Sequence, residues 1–82
     1  MFRILLTKRA LKDLEKLDEN NKLRIKEKLN ILLSDPISNS KKLSSPLIGT
    51  YRFRAGDYRV IFDIDADKVV ILHIGHRKDI YK

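Results

Sequence analysis

The chain has 82 residues, no cysteine and a net charge of +7, with hydrophobic residues at 43%. That length fits one small domain spanning 1–82, and the missing cysteines exclude disulfides and thiolate metal sites. The apolar fraction supports a folded core rather than a disordered basic tail, and the charge points to an anionic partner.

FRILLT (2–7) is short and apolar on both faces, so it is expected to be a first strand in the centre of a sheet. Its apolar run Ile4 to Leu6 is too short for a signal peptide or a membrane span. The expectation is a soluble, cytoplasmic protein with no membrane contact. Thr7 can cap a following helix. KRALKDLEKL (8–17) sets Ala10, Leu11, Leu14 and Leu17 on one side at helical spacing. DENN (18–21) reads as a polar break. KLRIKEKLNILL (22–33) carries Leu23, Ile25, Leu29, Leu32 and Leu33 as a second amphipathic stripe, ended by Asp35-Pro36. The two helices should form a hairpin.

SDPISNSKKLSSP (34–46) reads as a loop, rich in serine and proline. From Leu47 the pattern turns β. YRFR (51–54) alternates, Ala55-Gly56-Asp57 makes a type II′ turn, and YRVIFDI (58–64) returns. DADK (65–68) turns again into VVILHIG (69–75), followed by the polar tail HRKDIYK (76–82). The order is β-α-α-β-β-β. This is an α+β fold in which the helical hairpin covers one face of a twisted antiparallel sheet.

Strand side chains alternate, so Arg52 and Arg54 share one face while Tyr51 and Phe53 take the other. With Gly56-Asp57 as the loop, Arg54 opposes Arg59; with Ala55-Gly56, Arg52 does. Either register sets like charges face to face, at a cost of a few tenths to about 1 kcal/mol. The last strand should bring Arg77 to the same end of the sheet, with His76 beside it and Tyr81 four residues on. Clustered cations imply an absent anion, and the arginine fork matches phosphate oxygens. An aromatic beside them suits single-stranded RNA. Tyr58, Phe62 and Phe53 read as core. His73 reads as a sheet histidine with its bonds satisfied, on the face opposite His76. Neither a metal site nor any other cofactor is indicated.

GDYRVIFDI, the apolar strand and IGHRKDIYK, together with TKRALKDLEKL near the start, resemble the RelE/ParE superfamily of toxins along essentially the whole chain. The resemblance implies a microbial-RNase-like fold and the toxin half of a type II toxin–antitoxin module. RelE-type members cut mRNA in the ribosomal A site; a RelB-like antitoxin silences them, and a toxin–antitoxin heterotetramer is one assembly open to this chain. ParE-type members instead poison DNA gyrase. By position, the RelE pattern implies catalytic roles for Arg59, Arg77, Tyr81, Arg52 and Arg54. Arg52, Arg54, Lys41, Lys42 and His76 are expected to bind RNA.

RelE proper has lysines where this chain has Arg52 and Arg54. Arginine keeps its proton at any physiological pH and is a poor general base. His76 is the alternative base if the tail twists after Gly75, with Asp57 and Asp79 near in sequence. Alternatives to the nuclease are a gyrase poison or a non-catalytic relic that binds the antitoxin and regulates its operon. The chain ends one residue after Tyr81, so the resemblance also leads to the expectation that an antitoxin segment covers the site.

Overall fold

The structure, a computed structural model, describes residues 1–43 and 49–80. Its elements are β1 (Arg3–Leu6), α1 (Lys8–Glu15), α2 (Glu19–Ser34), β2 (Lys41–Lys42), β3 (Tyr51–Ala55), β4 (Tyr58–Asp65) and β5 (Lys68–His76). The five strands form one sheet in the order β1-β5-β4-β3-β2. The helical layer and the sheet are as the sequence implies. One pair, β1 with β5, is parallel, and the rest are antiparallel.

Thr7 caps α1 as expected, its hydroxyl accepting from the Ala10 amide at 3.1 Å. Asp18 caps α2 in the same way, accepting from Asn21 N at 2.8 Å. A carboxylate cap satisfies an otherwise orphan amide, so α2 begins at Glu19 and absorbs most of the expected break. Asp35 ends the helix before the buried Pro36.

Both helices pack on one face of the sheet. Ala10, Leu14, Ile25, Leu29 and Leu32 meet Phe53, Ala55, Val60, Phe62, Val69, Ile71 and Ile74. Two residues of the predicted stripes stay outside this core: Leu11 is 46% exposed and Leu23 is 58% exposed. Helical spacing gives a broad apolar arc, and the sheet covers only its middle.

β1 is at the edge of the sheet, not at its centre, and its side chains alternate between exposed and half-buried. It pairs with β5 only as far as Ile71. Beyond that point α1 takes over the exposed edge of β5. Thr7 N donates to Ile71 O and the Thr7 hydroxyl to Leu72 O. Asp13 Oδ2 accepts from Ile74 N at 3.0 Å and lies 2.5 Å from His73 Nδ1. With Nδ1–H turned to the carboxylate, His73 Nε2 is left to accept from Arg9 Nη2 at 3.2 Å. His73 is thus a satisfied sheet histidine, as its sequence context implies.

The β4–β5 ladder shifts register between Ile61 and Phe62. Ile61 pairs with His73 and Phe62 with Ile71, leaving Leu72 as an extra residue on β5. This bulge reverses the facing parity along β5: Val69 and Ile71 reach the helices before it, and Ile74 reaches them after it. The stretch expected to be loop holds turns and the short strand β2, with Lys41 beside Arg52 and Lys42 beside Tyr51.

Two consequences are measurable. Asp13→Ala strips Ile74 N–H and His73 of their shared acceptor, so chemical denaturation should show a loss of about 1–3 kcal/mol. In the β4–β5 turn, Ala66 has φ +56°, a conformation that disfavours a β-carbon. Ala66→Gly should therefore raise stability by about 0.5–1 kcal/mol, read as a higher urea midpoint with an unchanged slope.

Candidate RNA-binding face

The sheet face away from the helices carries the arginines. Ala55 pairs with Tyr58, so the hairpin loop is Gly56-Asp57 and Arg54 lies directly opposite Arg59. Of the two registers open to the sequence, the structure takes this one. Gly56 has φ +63°, and Asp57 is not at positive φ, as a type II′ turn requires. Lys41, Arg52 and Ile61 form the next row of the same face.

Arg54 is exposed, while Arg52 and Arg59 are half-buried. Arg59 turns back to the hairpin tip, its Nη1 donating to Gly56 O and to Tyr58 O, both at 2.9 Å. Pointing one guanidinium at carbonyl dipoles eases its repulsion with Arg54. Arg77 reaches the same tip from the end of β5. Its amide donates to Asp57 O at 2.7 Å, and its Nε lies 3.6 Å from Asp57 Oδ1. That ion pair is exposed, so it is worth under about 1 kcal/mol, and an incoming phosphate can displace it. The Gly56-Asp57 tip therefore gathers Arg59 and Arg77, with Arg54 one residue away along β3.

After His76 the chain does not trail off. Asp79 N and Ile80 N both donate to His76 O, closing a turn over 77–80 that buries Ile80. Gly75 pairs with Arg59 and so belongs to the arginine face, and a β-carbon there would lie 2.9 Å from Ile80 Cδ1. Ile80 is thus seated on the arginine face over Gly75. Tyr81, expected at the site, lies outside the described residues.

His76 is not brought to this face. It pairs with Tyr58 on the helix side, edge-on at 5.6 Å between ring centroids, and its Nδ1 accepts from Lys78 N at 3.2 Å. The twist needed to carry it across does not occur, because β5 continues through His76. Lys42 likewise shares the helix side with Tyr51, whereas Lys41 joins Arg52. Asn39, which the sequence gave no reason to single out, lines a cleft of about 260 Å³ with Lys41, Arg52 and Arg54. Among the described residues no cluster of His, Asp or Glu fit to hold a metal occurs, and no helix is long and apolar enough to cross a membrane.

A family model described as the ParE toxin of the type II toxin–antitoxin system parDE matches residues 4–81. The chain belongs to the RelE/ParE superfamily of type II toxins. It is 34% identical to toxin RelG of Mycobacterium tuberculosis, covering 99% of this chain and 97% of the relative. Among solved structures, the toxin–antitoxin complex RelBE2 of Mycobacterium tuberculosis matches with a TM-score of 0.83 at 33% identity, over 93% of this chain and 98% of that one. The archaeal RelE–RelB complex of Pyrococcus horikoshii matches with a TM-score of 0.76 at 28% identity, over 95% and 97%. In this toxin, the seating of Ile80 over Gly75 helps to hold the C-terminal turn against the sheet.

Gly75→Ala should push that turn off the sheet. A ¹H–¹⁵N spectrum of the variant should shift amides at 77–80 and at Arg59 while those of the helices hold their positions. Stability should fall by about 1–3 kcal/mol.

Proposed function

We propose that this toxin is a RelE-type, ribosome-dependent endonuclease that cuts mRNA in the A site. The observation that carries the reading is the convergence of Arg59 and Arg77 on the Gly56-Asp57 tip, beside Arg54, on the face the helices leave open. The mRNA supplies its own nucleophile. Its 2′-oxygen attacks the adjacent phosphorus, the 2′-hydroxyl proton is taken up, and the bond to the 5′-oxygen breaks as that oxygen gains a proton. The products are a 2′,3′-cyclic phosphate and a free 5′-hydroxyl.

Arg59 and Arg77 clamp the scissile phosphate and stabilise the charge that builds on its equatorial oxygens. Arg54 and Arg52 hold the flanking phosphate. Tyr81 stacks on a base or passes a proton. Arg52 and Arg54 are too basic to accept the 2′-hydroxyl proton, and His76 is on the other face of the sheet. Catalysis therefore leans on positioning and electrostatics more than in a site with lysines there. The basic charge and the arginine cluster suit an acidic antitoxin, and similar solved structures include RelE toxins in complex with RelB antitoxins. Translating ribosomes place its target in the cytoplasm.

The matching family model is named for ParE, and this keeps a gyrase poison as the second reading. Primer extension on a defined mRNA with purified translating ribosomes separates the two. The nuclease reading expects discrete cuts at A-site codons that vanish without ribosomes. Arg59→Ala and Arg77→Ala should each slow cutting by about 10²–10³-fold. Intact mRNA with folded, antitoxin-free wild type, together with gyrase-dependent DNA breaks, would transfer the activity to gyrase.

A further inference from the structure

We infer that the cleft between the 36–39 turn and β3 is a nucleotide subsite in which Asn39 reads a base through its carbonyl oxygen. This rests on the proposal that the arginine face binds RNA. The cleft, about 260 Å³ in volume, is lined by Asn39, Lys41, Arg52 and Arg54. It has room for a base, and three of its four lining residues are cations suited to the phosphates on either side.

The orientation of Asn39 is set by its partners. Its Nδ2 donates to Asp35 O at 2.8 Å and to Ile31 O at 3.2 Å. Both partners are carbonyl oxygens at the end of α2, which can only accept, so the amide nitrogen must face them. Both amide protons are thereby used. Oδ1 is left as an acceptor, and among the described residues no donor meets it. The turn behind it is held too, with Asn39 N donating to Asp35 O and Ser38 N to Asp35 Oδ1.

A rigid acceptor amid cations selects by chemistry. Lys41, Arg52 and Arg54 only donate, so they suit phosphate and the acceptor atoms, ring nitrogen or carbonyl, that every base carries. Asn39 Oδ1 needs a donor. Adenine, cytosine and guanine carry an exocyclic amine. Uracil offers only a ring N–H between two carbonyls, which would set an oxygen against Oδ1. The subsite therefore disfavours uridine at the nucleotide beside the phosphate held by Arg54.

Fluorescence anisotropy with four labelled RNA tetranucleotides (A, C, G and U homopolymers) tests this without requiring cleavage. Wild type should bind the uridine tetramer about threefold to tenfold more weakly than the others, the effect of one hydrogen bond. Asn39→Leu should erase that difference. Because it also removes a helix cap, Asn39→Lys serves as the second variant: its ammonium can still cap the carbonyls of α2 but offers no acceptor. It should bind all four tetramers alike, and more tightly. Lys41→Gln should weaken all four equally and keep the ranking. Ribosomal cut sites, mapped with the same proteins, should redistribute toward uridine-containing codons in both Asn39 variants. An Asn39→Lys protein that keeps the wild-type ranking, or a wild type that binds all four tetramers equally, overturns the subsite. Intact mRNA with wild type would overturn the nuclease instead, and the anisotropy ranking would still decide the role of Asn39.

Discussion

A two-residue turn at Gly56-Asp57 admits one pairing of β3 with β4, and in that pairing Arg54 faces Arg59 across the ladder. A slip of one residue would carry either Phe53 or Val60 out of the core, so burial of the helix-side residues enforces the clash of charges on the other side. The cost of a like-charge pair, a few tenths to about 1 kcal/mol, is small against the burial of several large apolar side chains. The fold therefore holds its cations together without any help from a ligand. An anion arriving at this face would find its partners already assembled, and that is what positioning for charge stabilisation requires.

The same economy governs the edges of the sheet. β1 protects β5 only as far as Ile71, and Asp13 of α1 takes the amide of Ile74 where strand pairing stops. The Leu72 bulge lies at this changeover. It lets β5 serve two masters: Val69 and Ile71 pack on the helices before it, while Gly75 beyond it faces the arginines and leaves a seat for Ile80. The C-terminal turn is thus held at the charged face by Ile80 seated over Gly75 and by the bonds of Arg77 to Asp57. On the outer side, β2 brings Lys41 beside Arg52, and the Asp35 to Asn39 turn closes the cleft.

Much of this was legible from pattern. The alternation in YRFR separated core from charge, Gly56 marked the turn, and the leucine stripes found the helical layer. The arginines that meet at the hairpin tip could be named from spacing alone, although the choice between two registers could not. What stayed hidden depended on contacts distant in sequence. The strand FRILLT, apolar on both faces, reads as central, but its exposed Leu5 belongs to an edge strand. A bulge leaves no mark in VVILHIG, so neither the reversal at Leu72 nor the seating of Ile80 was visible. Asn39 sits in a serine-rich stretch whose composition reads as loop; only its bonds to the end of α2 give it a fixed oxygen. His76 was drawn into the site by its neighbours in sequence, and the persistence of β5 leaves it against Tyr58.

On the proposed reading, the arginine face engages RNA phosphates. The most direct test is the salt dependence of binding to a short single-stranded RNA, wild type beside Arg54→Gln and the Arg54→Gln/Arg59→Gln pair. Each lost phosphate contact should reduce the slope of log K against log salt by about 0.7, so the double variant should lose about twice that. Slopes equal to that of wild type in both variants would mean that RNA is held elsewhere on this basic surface, and would contradict the account.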